Sequence, residues 1–286
     1  DAKVQQGRDL ANKLWNASRL ILLNAADGTQ SGDIDRFESR RLEDRWILSR
    51  MERTIASVTS KLDAYDFAHA VQEAYAFFWS ELCDWYLEIA KPRLYEGEAE
   101  VSANLLWLLE RTLALLHPIM PFVSEEVWSY HPSRQGHLAV NPFPEADTSL
   151  FDEEAEAEMG EAIDLTRNLR TWRDLVELAS KSTLPVRTAD PLPEFVSRLA
   201  RVEAADGSAD PIASVGVVQI LASPEIDAEA VAARLERRRE ELRSEVARAE
   251  GKLTNEKFVA RAPTELVEEE RAKLERYRAE LQELAE

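Results

Sequence analysis

A doubled heptad near the C-terminus constrains this chain of 286 residues more than any other feature. Leu235, Leu242 and Ala249 alternate with Arg239, Val246 and Leu253 at a 4,3,4,3 spacing. That spacing lays a stripe along one side of a helix and forms the seam of a coiled coil. After a short link, Val267, Glu270, Leu274, Tyr277, Leu281 and Leu284 continue the same kind of seam. Pro263 suits a first helical turn, where its missing N–H has no partner to lose. Thr264 or Ala262 can cap that turn, and Phe258 and Val259 can plug the open end. A short link between helices of similar length folds them back as an antiparallel hairpin. At ~1.5 Å per residue, each arm is on the order of 35 Å long.

Charge leaves two readings of that hairpin. The chain carries a net charge of −19, which argues against general affinity for nucleic acid. Within the tail, however, residues 231–262 hold 9 basic and 6 acidic side chains, and residues 264–286 hold 4 and 8. One arm is basic and the other acidic. This is either a solvated coiled coil laced by inter-arm ion pairs or a basic edge offered to a polyanion.

Upstream, helical periodicity dominates. Leu10, Leu14, Trp15, Ala17, Leu20 and Ile21 make one apolar stripe, ending near Asp27-Gly28, with a polar loop at Ser31-Gly32-Asp33 after it. A second helix spans about Glu43 to Leu62, with Trp46, Ile47, Met51, Ile55 and Val58 inward. A third, capped by Asp63 or Asp66, runs from Phe67 to Ala90 and stops at Pro92. A fourth covers Val101 to Leu116, and a fifth starts near Pro121 and ends by Pro132. Five helices with short links read as an α-helical bundle. Residues 132–150 read as an extended crossing, followed by a sixth helix from Asp152 to Ser180 with a favourable acidic start. Thr183–Thr188 and Ser214–Leu221 are β-type, with a short helix Glu194–Arg201 between them. The fold class expected is therefore mainly α: a helical bundle over 1–150, a helix plus small α+β connector over 151–227, and an antiparallel coiled-coil hairpin over 228–286.

No catalytic constellation is visible. His69, His117, His131 and His137 are scattered, with no metal-ligand spacing to one another or to Cys83. The single cysteine excludes an internal disulfide and fits a buried thiol in a reducing cytoplasm. No Gly-rich phosphate loop occurs, so no ATP-binding device is recognisable, and Ser180-Lys181-Ser182-Thr183 reads as a surface link, not a catalytic loop. No apolar run is long enough to span a membrane and no signal peptide precedes the first helix, so a soluble protein is expected. The opening Asp1-Ala2-Lys3 lacks Met and starts within a pattern, the expectation for a piece of a longer protein.

One helix face is more specific. Asn12, Asn16 and Arg19 fall at i, i+4 and i+7. With Leu14 and Trp15 assigned to the core, these are either ordinary solvated side chains or a strip able to read unstacked bases and phosphates. Trp46, Trp79, Trp85 and Trp128 read as core, and Asp44, Arg45, Asp84, Lys91 and Glu125 as intrabundle ion pairs or caps.

Several stretches resemble one family. N-E-K-F-V-A-R-A-P (Asn255–Pro263) followed by E-x-x-K-L (Glu270–Leu274) is similar to the coiled-coil arm of bacterial valyl-tRNA synthetases. N-K-L-W-N-A-S-R (Asn12–Arg19), D-R-W-I-L-S-R (Asp44–Arg50), F-W-S-E-L-C-D-W-Y-L-E-I-A-K-P (Phe78–Pro92), H-P-I-M-P-F-V-S-E-E-V-W (His117–Trp128) and R-N-L-R (Arg167–Arg170) resemble that family's anticodon-binding bundle. The likeness runs from about Gly7 to Leu284 and is weakest over 171–227. It implies a tRNA-binding part of a valine–tRNA ligase, with tRNA-Val as partner and the catalytic and editing domains upstream. ATP and magnesium belong to those absent domains, and no cofactor is expected here. It implies anticodon contacts from Asn12, Lys13, Asn16, Arg19, Arg45 and Lys91. It implies contacts to the tRNA elbow from Arg237, Arg238, Arg248, Lys252, Lys257 and Arg261. A cytoplasmic monomer follows from the same reading. The rivals are a helical adaptor that binds protein through the leucine seam, and a free-standing tRNA-binding protein derived from a synthetase.

Overall fold

The computed structural model describes residues 2–32, 41–179, 181–205, 209–223, 226, 228–255 and 263–283. The expected fold class holds: mainly helical, with a small sheet and a C-terminal helical hairpin. The chain divides into two compact units, Asp1–Gly160 and Glu161–Glu286.

The first unit is a helical bundle of α1 (Ala2–Asn24), α2 (Leu42–Asp63), α3 (Phe67–Ala76), α4 (Leu87–Tyr95), α5 (Ala99–Leu116) and α6 (Pro121–Trp128). Its centre is α5, where Leu105, Leu106, Leu108, Leu109 and Leu113 are all buried. A helix apolar on nearly every side must be enclosed by others. On α2, Trp46, Ile47, Met51, Ile55 and Val58 face inward as the periodicity required. The helix after α2 does not stop at Pro92. It runs on from α3 through a π-helical segment, Phe77–Tyr86, into α4, with Pro92 inside. The turn beyond the proline is held by Arg93 and Leu94, both buried, so tertiary packing outweighs the lost backbone bond. Trp15 also departs from expectation. It is 41% exposed, because Leu10, Leu14, Ser18 and Ile21 take the core-facing stripe of α1.

A buried ionic cluster joins α2, the π-helical segment and α4. Asp44 accepts hydrogen bonds from the Tyr86 hydroxyl at 2.6 Å and from Arg93 Nη1 at 3.0 Å. Arg93 also donates to Glu98 at 2.8 and 3.0 Å and lies 3.4 Å from Glu43. Burial works against the Arg93 charge, but Glu98 and Asp44 outweigh it and hold the guanidinium protonated. Burial and the adjacent Asp44 push the Tyr86 hydroxyl well above its usual pKa.

The helix α7 (Glu153–Leu175) begins in the first unit and ends in the second. Asp152 Oδ1 accepts from the Ala155 N–H at 2.9 Å, and an acidic first turn follows. The helix stops five residues short of the expected Ser180, because Glu177 turns the chain with a left-handed φ of 54°.

The second unit holds β1 (Leu184–Arg187), α8 (Glu194–Ala200), β2 (Val202–Ala204), β3 (Pro211–Val215) and β4 (Val218–Leu221), in the sheet order β2-β1-β4-β3. β1 and β2 are parallel, with Leu184 opposite Val202; the other pairs are antiparallel. Ser214–Leu221 is thus not one strand but most of a hairpin, reversed at Gly216 with φ 54°. β2 escaped the sequence reading because three residues with only Val202 buried carry no alternation. The hairpin pairs α9 (Ala228–Leu253) with α10 (Thr264–Glu283). Leu235, Leu242, Ala249, Val267 and Glu270 are buried in its seam, while Arg239, Val246, Leu253, Leu274, Tyr277 and Leu281 are half-buried. Pro263 precedes α10, and its carbonyl accepts from the N–H groups of Leu266 and Val267.

Candidate nucleic-acid interface

Because α1 buries Leu10, Leu14, Ser18 and Ile21, the opposite side must face solvent. Asn12, Asn16 and Arg19 are all exposed there. Arg19 has no hydrogen-bond or ion-pair partner among the described residues. Trp15, Ser18, Arg19, Leu22 and Leu23 of α1 line a cleft of about 480 Å³ with Val127 of α6 and Tyr130 just beyond it. Tyr130 is 62% exposed, and its hydroxyl donates to Glu126 at 3.1 Å. This contact raises the Tyr130 pKa. An indole, a phenol and a free guanidinium around one cleft offer stacking faces and a cation together, the chemistry that holds unstacked bases. Trp15 and Tyr130 were missed from sequence. The signal for Trp15 was its angular position: on a helix it falls beside Arg19, off the Leu10–Leu14–Ile21 stripe.

The other predicted anticodon residues are engaged inside the bundle. Lys13 donates to Asp84 at 2.6 Å and sits 3.8 Å from the centre of the Trp79 ring. Trp79 stacks on Tyr75 and is half-buried, whereas Trp46, Trp85 and Trp128 are core. Arg45 forms a two-pronged contact with Asp152, at 2.7 and 3.0 Å, and Asp152 in turn raises the Arg45 pKa. Lys91 pairs with Glu88, one turn away.

On the hairpin, Arg237 is exposed and has no partner among the described residues. Arg248 is exposed and pairs with Glu245 of its own helix at 2.9 Å. Arg238 and Lys252 instead cross to α10, reaching Glu280 at 2.6 Å and Glu270 at 3.1 Å. Lys257 and Arg261 lie outside the described residues. Among the described residues, no group of His, Cys, Asp and Glu could hold a metal ion, and no helix is long and apolar enough to cross a membrane.

Residues 44–188 match the anticodon-binding domain of tRNA ligases, and the chain belongs to that family. Residues 227–286 match the tRNA-binding arm of valyl-tRNA synthetases, which narrows the kinship to that enzyme. Valine–tRNA ligases are similar over nearly the whole chain. The Listeria innocua protein is 34% identical, with 96% of this chain and 34% of the relative covered. The Dehalococcoides mccartyi and Bacillus subtilis proteins, at 35% and 32% identity, have the same coverage. The chain thus spans about a third of the length of these relatives.

Proposed function

We propose that this chain is the tRNA-binding part of a valine–tRNA ligase, acting in the cytoplasm as a monomer. On this reading the bundle engages the anticodon loop of tRNA-Val and the hairpin leans on the elbow. Fixing two distant points of the RNA orients its acceptor end towards a catalytic domain that lies elsewhere, with ATP and magnesium bound there. The chain by itself carries out no catalysis. The observation that carries this reading is the α1 face, where Arg19, with no partner among the described residues, lines a cleft with Trp15 and Tyr130, and Asn12 and Asn16 are exposed on the same helix. Bases stack on the aromatic walls while the amides and the guanidinium reach base edges and phosphates. Arg237 and Arg248 supply phosphate contacts on the hairpin, which position the RNA without reading its sequence. For Lys13, Arg45 and Lys91 to contribute, phosphate must take the place of Asp84, Asp152 and Glu88.

The test is binding of the chain to tRNA-Val transcript and to the same transcript with its anticodon changed, at two salt concentrations. Saturable, salt-sensitive binding that weakens with the anticodon change is expected. Equal binding of both transcripts removes anticodon reading, and no binding removes the tRNA reading. In the last case, dimerisation through the leucine seam, measured by light scattering, would favour the adaptor alternative.

A further inference from the structure

Within the second unit, one contact ties the hairpin to the helix end beside it. Val176 and Glu177 follow the last residue of α7, and Arg234 sits in the second turn of α9. The Arg234 guanidinium donates through Nη1 to the Val176 carbonyl and through Nη2 to the Glu177 carboxylate, the latter at 2.7 Å. The Val176 carbonyl lies at the negative end of α7, beyond its last turn, so a cation there is favoured both as a donor and as a charge. The cap of α7 serves other carbonyls: the N–H of Leu178 reaches that of Arg173 at 3.0 Å, and the N–H of Glu177 reaches that of Asp174 at 3.1 Å.

Glu177 adds an independent sign. Its φ of 54° is the left-handed turn that ends a helix, where glycine fits without strain, as Gly97 does after α4. A glutamate kept at such a position points to a use for the carboxylate that Arg234 holds. Packing alone does not lock the joint. Val176, Ile226 and Val231 are buried there, yet they line a cleft of about 280 Å³ with Ala230 and Arg234. A joint that is not close-packed can rock, whereas a planar guanidinium with two acceptors at one helix end fixes a direction. The ion pair is too exposed to add much stability, with the Arg234 side chain 34% and the Glu177 side chain 74% accessible. Its consequence is geometric. From Arg234 to the last residue, Leu253, α9 runs about 28 Å at ~1.5 Å per residue, so rocking by ~10° at the joint moves that end by ~5 Å.

We propose that Arg234 is a positioning residue that clamps the root of the hairpin to the end of α7, and through that clamp sets where Arg237 and Arg248 present their charges. The clamp stands on the contacts above; its use in RNA binding rests on the tRNA-binding reading.

Thr171→Cys on α7 and Ser244→Cys on α9, both at exposed positions, can carry nitroxide labels. Cys83 is buried and burial pushes its thiol pKa up to about 12, so it stays unlabelled. Without RNA, the label-to-label distance should be narrowly distributed, and Arg234→Ala should widen the distribution. Arg234→Lys keeps the charge without the planar fork and should fall between the two. The thermal midpoint, which so exposed a pair hardly moves, checks that the variants fold. An unchanged width in Arg234→Ala overturns the clamp. In the unlabelled chain, Arg234→Ala should weaken binding of tRNA-Val transcript by about tenfold, because a swinging hairpin lowers the effective concentration of its contacts. Binding of the isolated anticodon stem-loop should not change. A loss of tRNA affinity with an unwidened distribution makes Arg234 a direct phosphate contact and overturns the clamp as well. Widening with no loss of tRNA affinity overturns its use in RNA binding. A wild-type chain that binds no tRNA overturns the functional reading, while the label distances alone decide the clamp.

Discussion

In the bundle, the Arg93 side chain is 7% exposed and is shared among Asp44, Glu43 and Glu98; in the hairpin, Arg238 is 32% exposed and reaches across to Glu280. Both are arginine–carboxylate pairs between helices, yet they do different physical work. Around Arg93 water is excluded, so removing one partner strands a charge or a hydroxyl without compensation. Around Arg238 water and salt replace a lost partner at little cost. The bundle's buried cations therefore fix shape and are unavailable to a ligand. What the bundle's core leaves exposed on α1 is Asn12, Trp15, Asn16 and Arg19, the side chains on which the proposed RNA contacts rest. The hairpin's charges are held loosely enough to be redirected to a polyanion.

Breaking the bundle's cluster gives the largest effect. Asp44→Ala leaves the Tyr86 hydroxyl and the Arg93 guanidinium short of their shared acceptor, and should cost about 3–5 kcal/mol in unfolding by denaturant. A loss under about 1 kcal/mol, the range of an exposed pair, would erase the contrast. Next comes the cleft. Trp15→Ala removes one stacking wall and should weaken tRNA binding by about 1–3 kcal/mol. Because Trp15 is 41% exposed, the unfolding midpoint should move little. A large drop in stability with unchanged RNA affinity would return Trp15 to the core. The smallest effect belongs to Arg238→Ala, at most about 1 kcal/mol and shrinking with added salt, as read from melting of the hairpin at two ionic strengths. A salt-independent loss would mean that this pair behaves as a buried one.

Much of the fold was legible because its determinants are local and periodic. The stripes of α2 and α5, the turn at Gly28, the Asp66 cap and the heptad seam of α9 and α10 need only helical geometry and a count of residues. The misreadings share one cause: a distant contact overruled a local rule. Pro92 was read as a stop, but Arg93 and Leu94 find partners in the bundle interior and the helix continues. Ser214–Leu221 was read as one strand, but β4 pairs with β1 on one side and β3 on the other. The site divided in the same way. Asn12, Asn16 and Arg19 were placed together by a helical wheel, whereas Tyr130, just past α6 and 111 residues beyond Arg19, meets Arg19 and Trp15 at the cleft only in the folded chain.

The sequence by itself determined the helical class, the hairpin, the absence of a recognisable catalytic device, and the kinship with the tRNA-binding part of valyl-tRNA synthetases. Periodicity, turn chemistry and motif order are properties of the chain read in one dimension. Only the tertiary structure decided which cations remain available. Lys13, Arg45 and Lys91 are drawn into pairs with Asp84, Asp152 and Glu88, while Arg19 and Arg237 are left to solvent. An arginine looks the same in a sequence whether or not a carboxylate folds against it, and the Asp152 that folds against Arg45 stands 107 residues away.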